Sequence, residues 1–190
     1  MRIIRGSHRG KQIVAPRSLP VRPTTDYAKE GLFNILEHTF DFESLEVLDL
    51  FAGTGSISYE FASRGCKTVT AVDSNKQSTR FITQIAGELS FKNLKVICAD
   101  VFKFLMSNKK PYSLIFADPP YLLENLSELP GLILNMPLLR HEGWLVLEHS
   151  SIYDFSGNPY FIEHRKYGEV NFSFFEFLVP AQQNNQVSGD

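Results

Sequence analysis

A chain of 190 residues suits one ordinary domain, and 43% hydrophobic content with sixteen phenylalanines can fill a core, which excludes disorder as its ground state. Its apolar runs, such as "LIFA" and "WLVL", fall far short of the roughly 18–20 residues of a membrane helix. The start "MRIIRGSHRGKQ" lacks a secretory-signal pattern, and Cys66 and Cys98 have no metal-ligand spacing, so reduced thiols, no metal and a cytoplasmic location are expected. The net charge of −2 divides into +5 over residues 1–30 and −7 over the rest. That asymmetry fits an anionic partner approaching from one side, while charge alone leaves a merely solvated terminus equally open.

"RIIR" (2–5) and "KQIV" (11–14) flank a glycine-containing turn and predict a small N-terminal β-hairpin. The proline-punctuated "APRSLPVRP" follows, so residues 1–23 read as a basic hairpin and extended arm. From Thr25 the pattern becomes helical: Ala28, Leu32, Ile35 and Leu36 share a face, with Thr24, Thr25 or Asp26 as the cap and an end near Glu37.

Strands and helices then alternate. "EVLDL" is a strand, a glycine-rich turn follows, and a helix is predicted over 56–64. "TVTAVD" precedes a helix over 75–89, and "LKVICAD" precedes a short helix reaching Phe104. "YSLIFAD" is a fourth strand, 131–140 is expected to be helical, and "GWLVLEHS" is a fifth strand. This alternation implies right-handed βαβ units around a parallel sheet. "YFIEHRKY" and "NFSFFEFLV", joined at Gly168, add an antiparallel hairpin; "AQQNNQVSGD" (181–190) is expected to be disordered.

Ligands of such sheets sit beyond the carboxyl ends of the strands, so those ends carry the argument. After the first strand, "DLFAGTGS" sets Gly53 and Gly55 where backbone can approach a ligand. Asp49 precedes them, and no third glycine completes a dinucleotide fingerprint. A carboxylate here suits a cationic amine rather than a pyrophosphate, which points to S-adenosylmethionine. Asp73, 18 residues beyond Gly55, ends the second strand and can accept from ribose hydroxyls. Asp100 ends the third and can reach an adenine amine, with Val101 or Phe102 against the ring. A strand-end Asp alone is more often a turn or helix cap; their occurrence in register is the signal.

The fourth strand ends in "DPPY". An exocyclic base amine is a weak nucleophile because its lone pair is delocalised into the ring. Asp118 and the Pro119 carbonyl can accept its two N–H bonds and direct the lone pair outward. Pro119 and Pro120 stiffen the corner and offer no donor, and Tyr121 can stack on the base for about 1–3 kcal/mol.

Together these segments resemble the class I S-adenosylmethionine-dependent methyltransferases acting on amino groups. "MRIIRGSHRGKQI", "RPTTDYAKEGLFNIL", "VLDLFAGTGSISYEFASRG", "DPPY", "VLEHS" and "RKYGEVNFSFFEF" are similar in order and spacing to the bacterial RsmD family, over about residues 1–179. The resemblance implies a Rossmann-like α/β fold with a mostly parallel seven-stranded sheet in a domain spanning 24–180. It implies methylation of N2 of a guanine in small-subunit (16S) ribosomal RNA, on a substrate carrying ribosomal proteins. The pocket it implies contains Asp49, Phe51, Gly53, Gly55, Asp73, Asp100 and Val101, with Arg22, Thr24 and Thr25 beside it, and Asp118 to Tyr121 hold the base. The basic arm (Arg2, Arg5, Arg9, Lys11, Arg17) then becomes a phosphate clamp, and a monomer is the default. Two positions depart from the family: Tyr27, where a basic residue is common, bears on an RNA contact, and Ser58, where glycine is common, is expected to affect only helix packing. The alternatives are a DNA adenine-N6 methyltransferase and a non-catalytic RNA-binding protein that keeps the cofactor pocket. His141, His149, His164 and Trp144 are read as structural, and Glu148 receives no role.

Overall fold

The computed structural model describes residues 1–16, 19 and 24–178. Arg17, Arg22 and residues 181–190 lie outside the described residues. In chain order the elements are α1 (Asp26–Thr39), β1 (Glu46–Leu50), α2 (Ser56–Ser63), β2 (Thr68–Asp73), α3 (Lys76–Glu88), β3 (Leu94–Cys98), α4 (Val101–Ser107), β4 (Tyr112–Ala117), α5 (Leu129–Leu134), β5 (Leu139–His149), β6 (Phe161–Tyr167) and β7 (Val170–Phe177).

The seven strands form one sheet in the order β3-β2-β1-β4-β5-β7-β6. β1 to β5 pair in parallel, and β7 lies antiparallel between β5 and β6. The chain moves outward from β1 to β3 and then returns to the other side of β1 as β4, so the strand order reverses between β1 and β4. A crevice opens at such a switch point.

Side-chain alternation divides the core in two. Val47, Val69, Ala71, Leu114, Phe116 and Val146 face Leu32, Phe33 and Leu36 of α1 and Phe61 of α2. Leu48, Leu50, Val72, Ile115 and Leu145 face Val101 and Leu105 of α4 and Ile133 of α5. A buried Leu or Phe contributes about 1.5–3 kcal/mol, so covering both faces fixes the register that positions every strand end.

Two expectations need correction. The helix placed over 131–140 covers only Leu129–Leu134. Pro130 suits its first turn, and Pro137 disfavours helical geometry at the residue before it, so the chain turns and β5 starts at Leu139. The N-terminal hairpin is looser than predicted, with one antiparallel bridge, Arg2 to Gln12, among the described residues.

That hairpin is nevertheless anchored. The fully buried Glu60 carboxylate accepts from the Ile4 and Arg5 amides at 2.8 and 3.0 Å and pairs with Arg64 at 2.8 Å. Buried Lys29 donates to the Arg2 carbonyl at 2.6 Å and stands 3.9 Å from Glu60. Gly6 has φ +85°, and a Cβ there would lie 1.9 Å from the Ser63 carbonyl oxygen, so only glycine allows this approach. Ser63 ends α2, and Met1 contacts Thr54 before its start, so the hairpin lies along the length of that helix.

Candidate active site

The turn between β1 and α2 is built from left-handed backbone: Phe51 at φ 60°, Gly53 at 55° and Gly55 at 80°. A non-glycine residue in that region costs on the order of 1–3 kcal/mol, a strain that concentrates at functional sites. Gly55 caps α2 without a side-chain acceptor for the first helical N–H groups. The Ser56 hydroxyl beside it is buried and has no partner among the described residues.

Asp49 and Asp73 lie on β1 and β2, Asp118 directly follows β4, and Glu148 lies on β5, four neighbouring strands. Their parity matches Val47, Ala71, Phe116 and Val146, so all four carboxylates lie on the α1 face of the sheet. The registers set Asp49 against Ala71 and Phe116, two residues deeper than Asp73 and Asp118. Asp49 therefore forms the floor, 1% exposed, with the other two above it on either side.

Burial pushes the Asp49 carboxyl up to about 7; the Ser58 hydrogen bond works against this, and the charges of Asp118 and Asp73 add to it. The Ser58 hydroxyl donates to Asp49 Oδ2 inside the protein. The expectation that Ser58 affects only helix packing is thus overturned: the hydroxyl solvates the deepest acid of the row. Asp73 accepts from the Gly53 amide at 2.8 Å and the Asn75 amide at 2.7 Å, one on each oxygen. A carboxylate offers about four lone-pair sites, so each oxygen keeps capacity for a hydroxyl donor.

Asp100 caps α4 through the Lys103 amide at 2.9 Å and remains exposed. Val101 is 3% exposed and packs in the core on the α4 side of the sheet. The exposed ring at this corner is Phe102, edge-on to Phe51 with centroids 6.4 Å apart.

At the fourth corner the Asp118 amide donates to the Leu50 carbonyl at 3.3 Å, Pro119 is buried, and the Tyr121 ring is 60% exposed. Burial first, and then the Glu148 charge, holds the Asp118 carboxyl well above the usual range. Glu148, which sequence reasoning left without a role, is 4% exposed, and its pKa is raised by burial. It follows Leu147, which pairs with Ala117, so Glu148 and Asp118 are lateral neighbours. Thr24 donates to Glu148 Oε2 at 3.2 Å and ties the segment before α1 to this corner. The available signal was a carboxylate at a strand end; the missing information was which strand lies beside β4.

The basic arm is only partly available. Arg2 pairs with Asp26 and Glu30 at 3.4 and 3.7 Å, and Arg5 with Glu37 at 2.8 Å. Among the described residues Arg9 and Lys11 enter no ion pair. A cleft of about 370 Å³ between the hairpin and α1 is lined by Arg2, Arg5, Arg9 and Arg64, with Glu30 and Asn34. Tyr27 is 66% exposed and meets Tyr167 edge-on. No group of three or more metal-ligating side chains occurs among the described residues, and no helix there is long and apolar enough to cross a membrane.

The family model described as conserved hypothetical protein 95 matches residues 1–176. The chain belongs to this family. Members of similar sequence include ribosomal RNA small subunit methyltransferase D of Escherichia coli, 31% identical over 148 residues that cover 78% of this chain and 71% of that one. The Haemophilus influenzae protein of the same name is 30% identical over 172 residues, 80% and 88% of the two chains. Among solved structures, Thermus thermophilus TTHA0928 superposes with a TM-score of 0.82 at 27% identity, over 93% of this chain and 99% of that one. Escherichia coli yhhF gives 0.82 at 26%, over 94% and 98%. The architecture is the Rossmann-like class I methyltransferase fold.

Proposed function

We propose that this enzyme transfers a methyl group from S-adenosylmethionine to the exocyclic N2 amine of a guanine in small-subunit ribosomal RNA. The observation that carries this reading is the presence of Asp118-Pro119-Pro120-Tyr121 on the same sheet face as Asp49 and Asp73, beside the strand-order reversal. The relatives named for small-subunit ribosomal RNA favour RNA over the DNA adenine-N6 and non-catalytic readings.

The residues fit the cofactor. Stacked carboxylates suit a ligand bearing an ammonium and a sulfonium, and the unpartnered Ser56 hydroxyl lies at the glycine turn where a polar end is expected. Asp73 keeps capacity for ribose hydroxyls, and Phe51, Phe102 and Asp100 border the adenine end. When bound, S-adenosylmethionine supplies an activated methyl group on a positively charged sulfur.

The protein then chiefly has to position the amine, and such alignment supplies roughly 7–11 kcal/mol of a barrier. Asp118 and the Pro119 carbonyl accept the two N–H bonds and turn the lone pair toward the pocket. Tyr121 stacks on the base. As the nitrogen gains its methyl carbon it must lose a proton, and Asp118, whose burial favours the protonated form, takes it. The base reaches this corner unpaired, from a loop or by flipping. Arg9 and Lys11 hold backbone phosphate. The enzyme works as a monomer in the cytoplasm, where ribosomal subunits assemble.

Methyl-labelled cofactor incubated separately with unmodified small subunits, bare ribosomal RNA and duplex DNA tests this. Label is expected in small-subunit RNA, and the two RNA arms tell whether assembled protein is required. Label in DNA with none in RNA overturns the reading.

A further inference from the structure

Glu148 and Asp118 end neighbouring parallel strands, on the same face and in register. Adjacent strands lie about 4.8 Å apart, so the fold presents two carboxyl groups side by side at the base corner. The chemistry assigned to Asp118 needs one acid; the second is buried, and burying it without a function is costly. Thr24 fixes Glu148 by donating to Oε2 at 3.2 Å. That held orientation is what a hydrogen-bond acceptor for a ligand requires.

Guanine and adenine both carry an exocyclic amine beside a ring N1, but the two nitrogens differ. Guanine N1 bears a proton and is a donor next to the N2 amine, whereas adenine N1 is a bare acceptor next to N6. A single carboxylate with the Pro119 carbonyl therefore recognises an amine without distinguishing the bases. We propose that Glu148 is the specificity-determining residue of the site, accepting the N1–H of the target guanine while Asp118 accepts from its N2 amine. Adenine set in the same place meets the Glu148 carboxylate with its N1 lone pair and is rejected. This inference rests on the guanine-N2 reading above and adds the group that enforces it.

The test uses a base that keeps the amine but inverts N1. The accepting guanine is first located by methyl labelling of unmodified small-subunit RNA with the wild-type enzyme. That nucleotide is then replaced by 2-aminopurine, which retains the 2-amine and has an acceptor at N1. A site built around a donor discriminates strongly against an analogue lacking it, so wild type should prefer guanine by about 100-fold or more in kcat/KM. Glu148→Gln places an amide that donates to an N1 acceptor while its carbonyl still receives the Thr24 hydroxyl. The guanine preference should fall at least about tenfold, with cofactor affinity and melting temperature near wild type. A wild type that uses both bases alike, or a folded Glu148→Gln enzyme with undiminished preference, overturns the inference. Equal loss on both bases in Glu148→Gln also overturns it, because the residue then supports Asp118 without reading the base. Absence of any RNA label with wild type instead removes the functional reading, before the substituted base is used.

Discussion

The Thr24 hydroxyl and the Glu148 carboxylate meet at 3.2 Å across 124 residues of chain. This contact joins the segment before α1 to the end of β5 and holds a buried acid in one orientation. Thr24→Val keeps the shape but removes the donor, leaving Glu148 unsatisfied. A buried acceptor without its partner costs about 1–3 kcal/mol. The variant is therefore expected to melt at lower temperature and to lose kcat/KM on RNA, with cofactor affinity nearly unchanged. Thr24→Ser should restore both properties, and isothermal titration with thermal melting checks the set.

Asp118 differs from the other acids of the row because it is assigned to the amine rather than the cofactor. Asp118→Asn retains size and one acceptor oxygen but no longer takes up a proton. Single-turnover methyl transfer should fall by about 10²–10⁴-fold, while cofactor binding measured by titration stays within a few-fold of wild type. Loss of both together would move Asp118 into the cofactor pocket.

The pH dependence follows from Asp49. Its folded pKa of about 7 lies above its unfolded value, so the neutral form favours the fold. That contribution is fully present at low pH and is lost as pH rises from about 4 through about 7. Asp118 and Glu148 shift in the same direction, so the ligand-free protein should melt at progressively lower temperature from about pH 5 to about pH 8. Glu46 has the opposite sign: hydrogen bonding to Lys110 pulls it down to about 2, which places its contribution's loss below this window. A cationic ligand binds the ionised row, so S-adenosylmethionine affinity should increase over the same interval, by about tenfold per proton released per pH unit. Calorimetry in two buffers of different ionisation enthalpy detects the proton release. Ser58→Ala removes the hydrogen bond that favours ionised Asp49 and should move the binding midpoint to higher pH.

The arm separates anchoring from RNA contact. Arg9→Ala with Lys11→Ala should weaken RNA binding and reduce its logarithmic salt slope by about 1–2, without changing the melting temperature. Glu60→Gln leaves Lys29 and Arg64 buried beside a neutral group, and breaking such a pair costs about 3–5 kcal/mol. That variant should lose stability first, as urea denaturation would report.

Strand ends were legible in the sequence because period-2 alternation and a following turn mark them locally. Asp49, Asp73 and Asp118 emerged this way, and their shared face follows from parity once the strands are aligned. Glu148 was equally visible as a strand-end acid, but its meaning depends on β5 lying beside β4, which local pattern does not encode. Ser58 reaches Asp49 only through the left-handed turn at Phe51, Gly53 and Gly55. The partners of Arg2 and Arg5 carried a usable signal: Asp26, Glu30 and Glu37 recur at helical spacing on α1, an acidic stripe fit for a basic strand. α5 was overextended because its apolar residues continue past Asn135, whereas Pro137 decides where the helix stops.

The identity of the methylated nucleoside decides whether the corner at Asp118 holds a guanine amine. Unmodified small-subunit ribosomal RNA treated with the enzyme and labelled cofactor is digested to nucleosides and resolved by mass spectrometry. N2-methylguanosine carrying the label is the predicted product. Label in N6-methyladenosine, or on a ring nitrogen or ribose, contradicts the assignment of Asp118 and Pro119 to a guanine amine.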